Sequence, residues 1–336
     1  MSGKKTLLAG VLRRSGCLRL LRHAGSGRLV VFNYHRIRPD GPALPSPFDE
    51  GVFGPTISVF ARQVAWLQRH TRILSEEGLI QAIRSRRVPH GLSTMITFDD
   101  GYRDNYTLAL PVLRRLDVPA VFFIPTDPIE SRRLGWWDLI AYLIKRTRRS
   151  HLDIDGARVE VHNDRRSEAI RAVQRLMKTQ PAQVTGSLVA RLAEACDAAL
   201  PSAALQDREL MTWDEIRDVA RCGFGIGSHT HTHRVLATLS AAEQEEELRL
   251  SKMILERHMG RPVKSIAYPV GGYQHFTRQT QVIAARCGYA LGFSFNTFVN
   301  EWQSLREFDI KRIEGPDSVS LLAAGSVLPR VFARWN

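Results

Sequence analysis

Two short motifs in this sequence carry side chains that can bind a metal ion together. Residues 97–101 read Thr-Phe-Asp-Asp-Gly, and residues 228–233 read Ser-His-Thr-His-Thr-His. Two imidazoles four residues apart can face one ion when they lie on a helical turn, or on a loop that enters one. With Asp100, the imidazoles of His229 and His233 would form an open three-ligand set, which keeps a position for water or substrate. The spacing therefore predicts a site for one divalent ion.

Asp99 directly precedes the predicted ligand Asp100. This position predicts that Asp99 is a base at the same site. Adjacent carboxylates at a strand end point to opposite sides of the backbone, so one can bind the ion while the other takes a proton from the attacking water. An isolated Asp-Asp-Gly is more often only a turn. Here, however, both motifs follow short, apolar, β-prone runs at residues 93–98 and 224–227. Open α/β folds and barrels place their chemistry at such strand ends.

The two motifs resemble those of the polysaccharide deacetylase family, also called the NodB-homology or carbohydrate esterase family 4 type. Residues 97–101 match its Thr-Phe-Asp-Asp-Gly motif at all five positions, and residues 229–233 match its His-(Ser/Thr)-x-x-His motif. The resemblance implies that Asp99 is the catalytic base. It also implies that the three predicted ligands hold a metal ion, usually zinc.

Other stretches resemble particular branches of this family. Residues 34–37, Tyr-His-Arg-Ile, resemble the opening of a bacterial exopolysaccharide branch. Where many members have Arg-x-Pro-Tyr, this chain has Tyr268 and Pro269 in a Tyr-Pro-x-Gly variant, without the arginine that elsewhere orients the base. We expect Tyr268 and Pro269 at the substrate, with a backbone N–H near Tyr268 facing the oxyanion. Arg312, in a late strand, is a candidate for the missing charge, and the alternative is an ordinary solvated arginine.

The proton donor is not assigned by the resemblance. The family's Leu-x-His motif is missing, because no histidine follows His275. His35 and His275 are the candidates, since a protonated imidazole can donate to a leaving amine near neutral pH. His35 ends the first predicted strand, and its alternative role is that of a structural histidine. We expect His275 in an exposed loop and His231 pointing away from the ion.

The hydrophobic pattern alternates between strands and helices, which implies a parallel α/β sheet. The resemblance narrows this to a distorted, incomplete (β/α)7 barrel, at residues 29–126 and 208–336. The predicted strands are residues 29–34, 94–98, 120–124, 224–227, 265–268, 290–293 and 309–313. The main predicted helices between them are residues 57–70, 108–116, 213–221, 241–259 and 278–286.

Residues 127–207 are too many for an ordinary connection, so they predict a mainly helical insertion. Helical periodicity occurs at residues 139–144, 169–177 and 189–200, and residues 152–161 alternate like a small hairpin. Trp136, Trp137 and Asp138 lie near the third strand's end. The paired tryptophans predict a sugar-stacking wall at the cleft, with Trp137 and Asp138 as substrate-binding residues. Buried packing of Trp136 or Trp137 is the alternative.

The formal charge of +13 is concentrated toward the N-terminus, where residues 1–38 hold nine Lys or Arg and no acid. Apolar residues of the 1–28 segment fall on one side of a helical wheel, and a basic amphipathic helix of this kind is typical of a membrane surface. The alternative is that its leucines pack on the barrel. The apolar run is too short for a signal peptide or for the ~18 residues of a membrane span. We therefore expect a cytoplasmic protein, peripheral to the inner membrane.

These patterns favour a metal-dependent enzyme that removes N-acetyl groups from amino sugars of a polysaccharide or lipid-linked glycan. The basic composition would also suit nucleic acid, but no nucleic-acid-binding motif occurs. There is no Gly-x-Ser-x-Gly elbow for serine hydrolysis, and the four cysteines form no metal or disulfide pattern. An inactive sugar-binding relative, or a deacylase for another acyl group such as formyl, remains an alternative.

Overall fold

A curled parallel sheet organises the chain. The structure is a computed structural model, and it describes residues 2–15, 18, 27–42, 45–179 and 185–332. The strands of the sheet run, in spatial order, β11 (Leu291–Phe293), β10 (Ser265–Ala267), β9 (Gly225–Ser228), β6 (Val121–Ile124), β5 (Ser93–Phe98) and β1 (Arg28–Tyr34). Three short strands extend it: β4 (Arg72–Ile73) on β5, and β12 (Asn300–Glu301) and β13 (Arg312–Glu314) on β1.

The last strand brings the two edges of the sheet together. β13 is parallel to β1, with Arg312 opposite Val31. Two residues earlier, Ile310 forms a parallel bridge with Phe293 of β11. Residues 310–314 therefore contact both edges, and the sheet curls into the distorted (β/α) barrel that the family resemblance implies.

Alternation along the strands separates two apolar layers. In β1, Leu29 and Val31 face the barrel interior, whereas Val30 and Phe32 pack under the surrounding helices. Both faces of a parallel sheet are covered in this way, which explains why every residue of β5 is buried. The same parity carries the polar side chains at the strand ends into the interior, and this places the chemistry.

Helices surround the sheet, and most of the predicted ones are present. Among the described residues, the α-helices that lie wholly or partly outside residues 127–207 are α1 (Ser2–Arg14), α2 (Ile57–His70), α3 (Glu76–Ser85), α4 (Leu110–Arg115), α5 (Thr126–Ser131), α9 (Ala203–Glu209), α10 (Trp213–Arg221), α11 (Ala241–Met259), α12 (Arg278–Arg286), α13 (Val319–Gly325) and α14 (Pro329–Phe332). Thr212 and Ser240 begin α10 and α11 with capping boxes. Gly260, in the left-handed region at φ 64°, ends α11.

Residues 127–207 form further helices and a hairpin with an apolar cluster of their own. The helices are α6 (Trp136–Arg146), α7 (Arg166–Thr179) and α8 (Thr185–Cys196), and the hairpin is β7 (His151–Ile154) with β8 (Ala157–Glu160). Asp155 and Gly156 both have positive φ, as a two-residue hairpin turn requires. The predicted hairpin is confirmed. The remaining short strands, β2 (Arg36–Arg38) and β3 (Phe53–Thr56), pair with each other.

The N-terminal helix α1 packs against α13. Ala9 is fully buried there and Leu12 is half-buried, whereas Leu7, Leu8 and Val11 are exposed by 72%, 49% and 55%. The apolar residues of α1 are therefore divided between packing and solvent. Within the described residues, no helix has the length and apolarity that a membrane crossing needs.

Candidate metal centre and active site

The carboxyl ends of the barrel strands surround a cleft of about 590 Å³. Asp99 and Asp100 follow β5, His229 and His233 follow β9, and Arg312 begins β13. All five side chains line the cleft. The fold thus brings together the residues that the sequence predicts for the metal, the base and the missing charge.

The three predicted ligands form one compact group. The ligand atoms of Asp100, His229 and His233 lie within 4.8 Å of one another. Asp100 Oδ1 is 3.5 Å from the Nε2 atom of each histidine, and the two Nε2 atoms are 3.2 Å apart. All three side chains are buried. One oxygen and two nitrogens at this spacing can hold a metal ion in an open site.

Hydrogen bonding and burial put both histidines in the form that binds metal. His229 Nδ1 lies 2.8 Å from the carbonyl oxygen of Ala267. Because a carbonyl only accepts, Nδ1 carries the hydrogen and Nε2 presents its lone pair. Burial lowers the pKa of His229, and burial followed by the charge of His229 lowers the pKa of His233. Both rings are therefore neutral near pH 7.

Among the described residues, no lysine or arginine forms an ion pair with the carboxylate of Asp100. Its Oδ1 atom is buried without a hydrogen-bond donor there, which is unfavourable for an ionised group. Burial, and then the charges of Asp99 and Asp138, hold the pKa of Asp100 well above its ordinary value. A divalent ion would satisfy this oxygen and the two lone pairs that face it. The residues present therefore fit a metal.

A short loop, and not a helical turn, places the two histidines. Residues 229–233 are outside any helix. Thr230 at φ 64° and His233 at φ 56° both lie in the left-handed region, and these turns bring the rings to one side. His231 points away, as predicted, and its Nδ1 atom is 2.8 Å from Thr126 Oγ1.

Glu247 holds this loop from helix α11. Its buried carboxylate accepts the backbone N–H of His231 at 3.0 Å and that of Thr232 at 2.8 Å. Arg234 donates to the same carboxylate at 3.0 Å. Because charge-assisted hydrogen bonds are strong, one glutamate fixes the backbone between the two ligands.

Asp99 is held by an arginine and an amide. Arg312 Nη1 donates to Asp99 Oδ1 at 2.7 Å, and Asn33 Nδ2 donates to Asp99 Oδ2 at 3.0 Å. Asn33 is oriented in turn, because Arg312 and the Thr97 hydroxyl both donate to its Oδ1 atom, at 2.8 Å and 2.7 Å. Burial disfavours ionisation of Asp99, but the charge of Arg312, the interactions with His229 and His35 and the hydrogen bond from Arg312 together outweigh it and hold the pKa of Asp99 below its ordinary value. Asp99 is therefore an ionised, oriented carboxylate.

The two adjacent carboxylates converge, so the prediction that they point to opposite sides is wrong. Asp99 Oδ2 and Asp100 Oδ1 lie 3.8 Å and 3.5 Å from the same His229 Nε2 atom. The reason is that β5 ends at Phe98 and Asp100 adopts φ 73°. Strand alternation no longer applies at a left-handed residue.

Trp137 and Asp138 support a ligand more than they form a sugar-binding wall. Trp137 lines the cleft, but its ring centroid is 4.0 Å from that of His233, and Trp136 Nε1 donates to the His233 carbonyl at 3.2 Å. Trp137 Nε1 donates to the Tyr102 hydroxyl, which donates to Asp138, both at 2.7 Å. Both tryptophans are only 8% exposed. Asp138 is buried behind Tyr102 and is not among the side chains that line the cleft.

The amide of Tyr268 cannot face an oxyanion, because it donates to the carbonyl of Phe293 at 3.0 Å. Pro269 has no N–H to offer. Tyr268 itself is buried and lines the cleft. The next residue, Val270, also lines the cleft, at φ 61°. This conformation is a genuine outlier for a β-branched residue, and the Val270 amide has no partner among the described residues.

His35 and His275 both line the cleft, and both are half-buried. The expectation of a solvent-exposed His275 is therefore wrong. Burial lowers the pKa of His35 to about 4, and burial followed by the charge of Lys178 lowers the pKa of His275 to about 4. Neither imidazole is protonated near pH 7 in the free protein, which removes the reason for regarding either as a charged acid.

Three supporting residues were missed by the sequence reasoning: Asn33, Tyr102 and Glu247. Asn33 is a polar residue near the end of an otherwise apolar strand. Glu247 shares the buried face of α11 with Leu248. A buried polar residue needs a partner, so these two positions carried a signal. Tyr102 carried none beyond its place directly after the first motif.

Comparisons with known proteins agree with this geometry. The model of the family described as polysaccharide deacetylase matches residues 87–292. The Bacillus subtilis (strain 168) protein YxkH, which is named as a polysaccharide deacetylase, is 30% identical over 267 residues, covering 79% of this chain and 63% of YxkH. The poly-beta-1,6-N-acetyl-D-glucosamine N-deacetylase of Staphylococcus epidermidis is 29% identical over 109 residues, covering 30% of this chain and 37% of that protein. The chain thus spans less than two thirds of each relative.

The fold is similar to that of solved deacetylases. The structure of the Streptococcus pyogenes deacetylase PplD in complex with acetate aligns with a TM-score of 0.57 at 18% identity. The alignment covers 87% of this chain and 95% of PplD. At this level of identity the similarity extends to the architecture, and it is the same curled barrel.

We expect one divalent ion per chain, and His229→Ala should lose it. Truncation removes a nitrogen ligand and leaves the buried carboxylate of Asp100 with one imidazole. Elemental analysis after loading with zinc should show near-unit occupancy that falls sharply in the variant. His231→Ala is the control, because this neighbouring histidine bonds Thr126 and should leave the metal content unchanged. Equal metal in His229→Ala and the wild type would contradict the assignment.

Glu247→Ala should weaken metal affinity without removing a ligand. The loop between the histidines would lose the carboxylate that accepts its two amides, and such supporting residues typically contribute about 10- to 100-fold in affinity. Competition with a chromophoric chelator measures the change. Glu246→Ala is the matched control, since Glu246 is exposed on the same helix. Equal zinc affinity in both variants would exclude the positioning role.

Proposed function

Because the chain belongs to the polysaccharide deacetylase family, we propose that it is a metal-dependent hydrolase that removes N-acetyl groups from the amino sugars of a polysaccharide or lipid-linked glycan. The single observation that carries the proposal is the pairing of two carboxylates with different surroundings. Asp100 lies in the ligand group, whereas Asp99 is bound by Arg312 and Asn33. One carboxylate can hold an ion while its neighbour accepts a proton.

Asp100, His229 and His233 would hold the ion, and their oxygen and two nitrogens suit zinc. When bound, such an ion polarises the amide carbonyl of the substrate and lowers the pKa of the attacking water. The S. epidermidis relative is named for N-acetyl-D-glucosamine, and we transfer the acyl group and the amino sugar to this chain as part of the proposal. Acetate and a free amino sugar would be the products.

Asp99 takes the proton of the attacking water in this proposal. Arg312 occupies Oδ1, so Oδ2, which also faces His229, is the oxygen directed toward the ligand group. A base held ionised by a neighbouring cation is available across a wide pH range. The buried arginine thus supplies the charge that the Arg-x-Pro-Tyr motif supplies in other members.

The oxyanion and the leaving amine need a donor each. The Val270 amide borders the cleft without a partner among the described residues, so we assign it as the backbone N–H near Tyr268 that contacts the oxyanion. His35 faces the same cleft as a neutral imidazole. A neutral imidazole can protonate the amine only after it has taken a proton itself, so we assign His35 as a relay that takes the water's proton from Asp99 and passes it to the leaving amine.

Asp99→Asn should abolish acetate release while leaving the metal content nearly intact. The amide keeps the shape of the side chain but cannot accept the proton, and loss of a positioned base costs about 10²-fold or more. Acetate detection with N-acetylglucosamine oligosaccharides and elemental analysis of the same samples measure both properties. A variant that stays active would show that another group is the base. A wild-type protein that binds metal but releases no acetate from any N-acetylated glycan would favour the inactive sugar-binding alternative.

We also propose that α1 holds the protein at the cytoplasmic surface of the inner membrane. Its outward side carries Leu7, Leu8 and Val11, flanked by the exposed cations Lys4 and Arg14. Apolar side chains between basic ones are typical of helices that lie in a membrane interface. Each cation near an anionic surface contributes about 1 kcal/mol, weakened by salt, so the binding would be reversible.

The double substitution Leu7→Gln and Val11→Gln should reduce sedimentation with anionic vesicles. Both side chains are exposed, so the packing of α1 on α13 stays intact in this variant. Deletion of the whole helix would remove that packing as well. Val282→Gln, at a valine exposed by 53% on α12, is the control. Vesicles with and without anionic lipid, at low and high salt, separate the two contributions. Equal sedimentation of the double variant and the control would leave packing as the role of α1.

A further inference from the structure

Helix α7 presents a row of polar and basic side chains to the active-site cleft. Arg171, Gln174, Arg175 and Lys178 line the same cleft as Asp99. Their spacing of three, four and seven residues places them on one face of the helix. Over seven residues a helix rises about 10 Å, so the row extends along the cleft and is not a single contact.

The opposite face of α7 is anchored in the apolar cluster of residues 127–207. Ile170, Val173 and Met177 are buried there, each by 96% or more. These contacts fix the rotation of the helix about its axis, because turning the basic row to solvent would expose the apolar row. The direction of the basic side chains is therefore determined by packing.

The two arginines of this row form no ion pair with an acid among the described residues. Among the described residues, neither Arg171 nor Arg175 has a carboxylate within the 4.0 Å of an ion pair. Arg175 and Lys178 are three residues apart on helix α7 and are therefore neighbours, and burial, followed by the charge of Arg175, lowers the pKa of Lys178. Like charges held side by side attract an anion.

Among the described residues, four acidic side chains line the cleft, and two of them belong to the group around the predicted metal site. Asp99 is paired with Arg312, and Asp100 is in the ligand group. Asp49 faces Lys178 and accepts the amide of Gly51 at 2.9 Å. Glu314 is the remaining acid of the lining. The outer part of the cleft therefore has more cationic than anionic side chains.

We propose that the row Arg171, Arg175 and Lys178 binds an anionic substituent of the substrate, and that the substrate class is an N-acetylated glycan that carries phosphate or carboxylate near the acetylated sugar. The inference rests on the proposed function and specifies which class of glycan the site would bind. Arginine pairs with the planar or tetrahedral oxygens of these groups through two hydrogen bonds. A neutral glycan would leave the two arginines without a charged partner.

Binding is tested in zinc-loaded protein that carries Asp99→Asn, so that no turnover occurs. The probes are chitotetraose, the same oligosaccharide with a reducing-end phosphate, and an N-acetylated oligosaccharide containing a uronic acid. Calorimetry at low salt should show at least one anionic probe binding about tenfold or more tighter than chitotetraose, the factor expected from one charge-assisted contact. The preference should decrease as salt is raised. The phosphate and uronate probes distinguish the two sources of negative charge.

Two double variants assign the preference to the row. Arg171→Gln with Arg175→Gln should abolish it, whereas Arg171→Lys with Arg175→Lys should keep most of it. Arg86→Gln with Arg87→Gln is the matched control, because this exposed pair lies outside the cleft and removes the same charge. Equal affinity for neutral and anionic probes, or a preference that survives the first double variant, would overturn the inference.

Acetate release by the wild-type protein separates this inference from the proposed function. Release from neutral and anionic probes at the same rate, unchanged in the first double variant, would overturn the inference and leave the deacetylase proposal standing. Tighter binding of an anionic probe without acetate release from any probe would support the row and contradict the proposed function.

Discussion

The ion pair between Asp99 and Arg312 is the interaction on which the site depends. It joins β5 to the last strand, β13, and Arg312 also donates to the Ser294 carbonyl just after β11 at 3.2 Å. One side chain therefore links the strands at which the barrel closes. Both partners are almost fully buried, and removal of one partner of such a pair costs about 3–5 kcal/mol, because an uncompensated charge remains. The same arginine therefore contacts the strands that close the barrel and stabilises the ionised form of Asp99.

The close approach of Asp100, His229 and His233 depends on a second constraint, because it requires unfavourable backbone dihedral angles. Asp100, Thr230, His233 and Val270 all have positive φ, and all belong to the site or its wall. Left-handed residues other than glycine cost about 1–3 kcal/mol each when they are held in sparsely populated regions. The surrounding contacts must therefore hold them, and Glu247 and the two tryptophans do so for the histidine loop. An ion that binds Asp100, His229 and His233 would be a further source of this stabilisation.

The sequence predicts the strands, most helices and the proximity of Asp100, His229 and His233 well, because these depend on local patterns. Residues 94–98 alternate between two buried faces, and the predicted strand differs from β5 by one residue. The role of Arg312 was harder to predict, since its pairing with Asp99 depends on barrel closure across 213 residues of sequence. Backbone conformation was harder still. Neither the convergence of Asp99 and Asp100 nor the engaged amide of Tyr268 can be derived from residue type, because each depends on one dihedral angle or one cross-strand hydrogen bond.

Residues 127–207 connect two parts of the site that the sequence treats separately. Helix α6 contacts the predicted ligand His233 through Trp136 and Trp137, and α7, which packs on α6, carries the basic row. The two helices share one apolar cluster, and packed interiors transmit displacement because they contain few voids. A glycan bound by Arg171 and Arg175 would therefore contact a helix that packs in the same apolar cluster as the tryptophans beside His233. In that complex, substrate binding at the outer cleft would be coupled to the position of His233, although the barrel alone supplies Asp99, Asp100 and both histidines.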